Sequence, residues 1–169
     1  MARRVLPLVL LTVLLVPAWA ASGQAPPQGQ SPTAQSERIR QGVSHFERAF
    51  YELTPQKRER EAAQEFDQAI AQFELELKQQ PASAVAHRYL GRIFSLRKDY
   101  RKSAQHYDRL SEIEPSNVDA CVLAALSYAE AGDVTEARLR LAEARLRTSD
   151  PVALAKIAEY MAKLDKLDR

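Results

Sequence analysis

The sequence is poor in the residues that most often carry chemistry or staple a small fold. One cysteine, Cys121, stands among 169 residues, so an internal disulfide is excluded. It lies between Ala120 and Val122 in an apolar helical pattern, the setting of a buried structural thiol. The three histidines, His45, His87 and His106, lack partners at metal-ligand spacing, so no metal site is expected. Glycines number only five, and they build neither a phosphate-cradling loop nor a nucleophile elbow. No catalytic residue and no cofactor is therefore expected, and the chain does not read as an enzyme. Sustained period-two alternation is absent, which predicts no sheet. An excess of charge is missing too: 24 basic side chains face 22 acidic ones. Loss of Arg3 and Arg4 with the leader described next leaves the two signs equal, so nothing argues for nucleic acid.

What is present falls into three parts. Residues 1–20 have the form of a secretory signal peptide. A basic start, Arg3-Arg4, precedes the apolar run Val5–Val16, Pro17 breaks it, and Ala18-Trp19-Ala20 has the small-x-small form of a cleavage site. The run is short for a membrane span of roughly 20 residues; an uncleaved anchor is the competing reading. No cysteine follows it, so a lipoprotein anchor is not indicated. Export is expected, with a bacterial periplasm as the first compartment and secretion or anchoring as alternatives. Residues 21–35 carry Gly23, Pro26, Pro27, Gly29 and Pro32 among Ser and Gln, without aromatics. Such a stretch buries too little to order itself and reads as a spacer.

Residues 36–169 have helical periodicity. Ile39, Val43, Phe46, Phe50 and Leu53 share one helix face. Thr54-Pro55 reads as a cap and first-turn proline of a second helix that runs to about Gln80. Further helices are expected near 83–97, 100–113, 116–130, 133–148 and 151–167. Pro81, Pro115 and Pro151 mark the stops. Asp99, Ser116, Asp133 and Asp150 are available as N-caps, and Gly132 supplies a turn.

The helices repeat at 34 residues. Leu90-Gly91, Phe94, Tyr100, Ser103, Tyr107 and Pro115 form one unit, and Cys121, Ala125, Tyr128, Gly132, Val134, Ala137 and Leu141 follow in register. This pattern resembles the tetratricopeptide-repeat (TPR) family. It departs in having His87 where tryptophan is usual, Lys98 for glycine, Ser103 for alanine and Ser149 for the closing proline. Upstream, only Phe66, Ala69, Phe73 and Pro81 match, so residues 36–81 read as an irregular leading hairpin. Residues 84–117 and 118–151 are the repeats, and 152–169 a capping helix. The resemblance implies an all-α fold: a short right-handed solenoid of about seven helices in antiparallel pairs. In the cap, Val152, Ala155, Ile157, Ala158 and Met161 are expected inside, and Lys156, Glu159, Lys163 and Asp165 outside.

The resemblance also implies a concave groove, lined by first helices, that binds another protein. Its candidates are Val85, Arg88, Arg92, Ser95 and Leu96, then Asp119, Val122, Leu126, Ala129 and Glu130. Arg88 and Arg92 are one turn apart and would together hold a carboxylate. The basic stretch Arg138–Arg147 reads as a solvated face with Glu136–Arg140 and Glu143–Arg147 pairs. The expected partner is a peptide or helical segment of another protein, with self-association through the terminal helices as the alternative. A membrane enters only through an uncleaved leader.

Overall fold

The computed structural model describes residues 32–167. The leader, and the spacer up to residue 31, lie outside the described residues. The 3.6-residue spacing of apolar side chains becomes seven α-helices, with no strand among the described residues. They are α1 (Pro32–Glu47), α2 (Glu59–Gln79), α3 (Ala84–Leu96), α4 (Tyr100–Ile113), α5 (Val118–Glu130), α6 (Val134–Leu146) and α7 (Pro151–Leu167). α1 packs on α2, α3 on α4 and α5 on α6, while α4 also packs fully on α5. The pairs thereby stack into a helical solenoid, in which each unit completes the core of its neighbour.

Pro32 opens α1 ahead of the periodic stretch, because proline is tolerated in the first helical turn. A π-helical turn, Arg48–Leu53, extends that helix and turns Ala49 and Leu53 to the buried side with Phe46. This corrects the reading of Thr54-Pro55. Thr54 caps backwards: its amide and its hydroxyl both donate to the Ala49 carbonyl, at 3.0 and 2.8 Å. A turn through Lys57 (φ 57°) follows, and α2 begins only at Glu59.

One contact explains the 34-residue period. Phe73, Tyr107 and Leu141 occupy equivalent places on the second helices. Each meets a small residue on a first helix. A Cβ on Gly42 would stand 2.7 Å from the Phe73 ring, and one on Gly91 would stand 3.0 Å from Tyr107. Leu141 shares its core with Ala125. Close helix approach therefore depends on glycine wherever the opposing side chain is a ring. Burying such a side chain contributes about 1.5–3 kcal/mol.

Caps set the helix starts. Ser83 accepts from Ala86 N at 3.5 Å, Asp99 from Lys102 N at 3.4 Å, and Asp150 from Val152 N and Ala153 N at 3.2 Å. Asn117, not Ser116, caps α5, accepting from Ala120 N at 3.2 Å. Ser116 is taken up by the turn that follows Pro115. Asp133 holds its N-cap position without a side-chain cap bond and pairs instead with Arg101 at 2.9 Å. Gly132 turns with φ 84°, and Lys98, its equivalent one repeat earlier, adopts φ 60°.

Polar groups close two seams. His87 is buried, and its Nε2–H donates to the Pro81 carbonyl at 3.0 Å. Its Nδ1 is then the acceptor for His106 Nδ1–H, also at 3.0 Å. The His106 ring stacks on Phe94, with centroids 5.5 Å apart. Burial lowers the pKa of His87 and pushes His106 down to about 4, so the pair is neutral. At the seam with the next unit, Asp108 of α4 accepts from Tyr128 Oη at 2.7 Å and pairs with Arg140 Nε at 2.7 Å. Burial, then the Asp108 bond, pushes Tyr128 up to about 12. Arg147 Nη1 donates to the Ser111 carbonyl at 2.9 Å. The basic stretch is thus more than a solvated face, because two of its arginines reach back across the seam. Glu136 stands 4.0 Å from Arg140, a weak contact beside the Asp108 pair.

Candidate protein-docking face

The first helices, α1, α3, α5 and α7, form one row. α1 touches α3, and α5 and α7 wall a common cleft. Side chains on this row that point away from α2, α4 and α6 are the ones free to meet a partner.

On α3 the candidates face different neighbours. Val85 is half-buried and lines a cleft of about 430 Å³ with Ile39, Glu76 and Ser83. Arg88 is exposed and forks onto Glu114, with Nη2 at 2.8 and 3.1 Å from the two oxygens. The Asn117 amide, followed by Arg88, holds the Glu114 carboxyl below the usual carboxylate range. Arg92 lies over the Phe46 and Phe50 rings, 4.9 and 4.7 Å from their centroids. The two guanidiniums therefore diverge, one toward the α4–α5 turn and one toward α1. Sharing a helix face brings their Cα atoms together, but the flanking elements decide where the charges settle. Ser95 is half-buried. Leu96 is 45% exposed and lines a cleft of about 270 Å³ with Phe50, Ala62 and Phe66.

On α5 the candidates divide by burial. Asp119 and Glu130 are exposed, whereas Val122 is buried in the core with Cys121. Burial raises the Cys121 thiol pKa, and it is a structural side chain here. Leu126 and Ala129 are half-buried and line a cleft of about 190 Å³ whose other wall is Tyr160, Lys163 and Leu164 of α7. This lining is apolar apart from Lys163. The Lys163 ammonium pairs with Glu159 at 2.6 Å and lies 5.5 Å from the Tyr160 ring centroid.

The α7 wall corrects the expected phase of the capping helix. Ile157 and Leu164 are its buried residues, with Tyr160 and Met161 packed beside them. Val152 is 75% exposed, and Ala155 and Ala158 are exposed too. Two apolar stripes run along this helix, and only the bulkier one reaches Leu141 and Ala144. Lys163 is exposed, as expected, and its stem borders the cleft. The i, i+7 spacing of Ile157 and Leu164 was the available signal.

Glu76 was not legible as special. It is fully buried in α2, with Oε2 at 3.4 Å from Arg38 Nε and Oε1 without a hydrogen bond. No cluster of three metal-ligating side chains occurs among the described residues, and no described helix is long and apolar enough to cross a membrane.

The chain is similar in fold to known helical-repeat domains. The N-terminal domain of stress-induced protein-1 from C. elegans superposes with a TM-score of 0.52 at 12% identity, over 72% of this chain and 95% of that one. The C-terminal TPR-containing domain of a Plasmodium falciparum FK506-binding protein gives 0.52 at 18% identity, over 80% and 95%. No protein-family model and no curated protein matches the sequence. The likeness is one of fold, a TPR-like solenoid.

Proposed function

We propose that this chain is a non-enzymatic protein-interaction module that takes a peptide or helical segment of another protein along its row of first helices. TPR-like solenoids generally bind proteins, which supports the coarse reading. The observation that carries the finer one is the cleft between α5 and α7. It is lined by Ala125, Leu126, Ala129, Leu141, Tyr160 and Leu164, is apolar apart from Lys163 at its border, and lies on the side expected to be concave. A cleft of about 190 Å³ suits one or two apolar side chains of a partner rather than a small-molecule substrate, whose pockets run to roughly 300–1,000 Å³. Arg88 and Arg92 take part only by exchanging Glu114 and the Phe46–Phe50 rings for an acidic group. Asp119 and Glu130 rim the α5 side.

The leader-like residues 1–20 support export, and the module is placed outside the cytoplasm on that ground alone. Site-specific photocrosslinking tests the binding reading. A photoreactive residue at Leu126 or Ala129 should give a discrete protein adduct in intact cells, and the same residue at Gln105 on α4 should give none. Equal labelling at all three positions, or none at Leu126 and Ala129, overturns it.

A further inference from the structure

Positions 34 residues apart do the same structural job on α4 and α6, yet their solvent faces differ. On α4 the equivalent positions are polar: Arg101, Gln105 and Glu112 are exposed, and Asp108 turns into the seam toward Tyr128 and Arg140. On α6 the equivalent stripe is Thr135, Leu139, Ala142 and Leu146. Leu139 is 54% exposed and Leu146 is 86% exposed. The opposite side of α6, with Ala137, Leu141 and Ala144, is already buried in the core. The helix is therefore apolar on two sides, and one of them is uncovered. An exposed apolar stripe rimmed by charged side chains marks an interaction surface.

We infer that the outer stripe of α6 is a contact surface for α6 of a second copy, with the two helices parallel. Spacing is the first argument. Thr135, Leu139, Ala142 and Leu146 follow one another at four, three and four residues, the alternation of a two-helix seam. Charge is the second. One edge of the stripe carries Glu136 and Glu143, the other Arg138 and Arg145. Parallel helices set the arginine edge of one copy against the glutamate edge of the other, with Arg138 facing Glu143 of the second copy on both sides of a two-fold axis. Antiparallel helices would set arginine against arginine and glutamate against glutamate. A membrane surface is a poorer fit, since the edges carry as many acids as bases.

Existing pairs do not block the contact. Arg138 bonds Asp165 at 2.8 Å, and Glu143 bonds Arg140 at 3.3 Å and also Arg147. The Arg138–Asp165 pair is exposed and of low worth; the Glu143 pairs are partly buried, and Glu143 meets the second copy by sharing its carboxylate rather than by leaving Arg140 and Arg147. The seam is short. Even with Val152, also exposed at the start of α7, it falls below the roughly 1,200 Å² of a stable interface. The dimer is accordingly weak and concentration-dependent. This surface lies on a second helix, away from the first-helix row, so it stands or falls separately from the binding reading above.

Sedimentation velocity of the purified protein over a wide concentration range is the test. A monomer–dimer equilibrium is expected, and Leu139→Glu with Leu146→Glu should weaken it at least tenfold while leaving the helical circular dichroism unchanged. A monomer at all concentrations overturns the inference, as does a dimer indifferent to the two substitutions. Flotation with phosphatidylglycerol vesicles through the same leucines overturns it in favour of a membrane. Leu146→Cys reports orientation. Under mild oxidation it should form an interchain disulfide, because a parallel pair places each Leu146 opposite its own copy. Antiparallel helices centred on the stripe separate those positions by about 16 Å, so a dimer without the crosslink refutes the parallel arrangement.

Discussion

Helices α3–α4 and α5–α6 run in the same 34-residue register and fill it with different chemistry. His87, Phe94 and His106 of the first repeat become Cys121, Tyr128 and Arg140 of the second. The first repeat closes its own seam with neutral, stacked rings. The second closes with ions, and its key carboxylate, Asp108, lies on α4 of the first. Tyr107 packs into Gly91, whereas Leu141 packs against Ala125. Ser103 donates to the Gly91 carbonyl at 2.9 Å, and its counterpart Ala137 has no hydroxyl to do so. The backbone period is thus a constraint on volume, since ring plus glycine and leucine plus alanine fill similar space. Polar partners differ between the repeats, stacked neutral rings in one and an ion pair in the other. The difference also makes the second repeat dependent on the first.

Removing Asp108 breaks that dependence. Asp108→Ala leaves the Tyr128 hydroxyl without its acceptor and Arg140 with only Glu143 and the more distant Glu136, at a cost of about 1–3 kcal/mol. Urea denaturation should show that loss, and hydrogen exchange should rise in α5–α7 more than in α3. Glu112→Ala, which removes an exposed pair with Arg109, should stay within about 0.5 kcal/mol at neutral pH. Equal costs for the two variants would contradict the seam's role.

Acid should weaken the first repeat in particular. His87 and His106 have pKa values below their ordinary value of 6.5, and His106 stands near 4. The unfolded chain therefore takes up protons first. Stability from the neutral pair is full above about pH 6.5 and is lost as pH falls toward about 4, by something on the order of 2–3 kcal/mol. Lys102 and Arg109, close by, add to the penalty for a charged ring, and Glu112 offsets part of it at His87. Across this window the Tm of His106→Leu should fall less than that of the native chain. Parallel curves would show that the carboxylates, not the histidines, set the acid limit.

The smallest effect concerns the turns. Lys98 takes the positive φ that Gly132 takes at no steric cost. Lys98→Gly should gain up to about 1 kcal/mol, and Gly132→Ala should lose about 1 kcal/mol. Thermal melts of the two variants should move in opposite directions, and movement in the same direction would mean that the turns are not equivalent.

Much of the fold was legible because close packing leaves a periodic record. Gly91, Tyr107, Gly132 and Asp99 act as their spacing says. Gly42 was missed because an insertion sets it 49 residues before Gly91 rather than 34, and only its contact with Phe73 reveals the equivalence. The π turn at Arg48–Leu53 leaves no compositional trace, so Thr54-Pro55 read as a beginning when it is an end. The cleft between α5 and α7 was not legible, because Leu126 and Ala129 line it only where α7 presents Tyr160 and Leu164.

The sequence by itself determined the helices, their pairing and their period, since these follow from apolar spacing, caps and breakers within about one repeat. Tertiary structure alone decided where long polar side chains go. Arg88 left Arg92 for Glu114, Arg140 found Asp108 on the preceding unit, and α7 chose one of its two apolar stripes. A long side chain samples a sphere several ångströms wide, and which partner lies within it depends on how the helices stack.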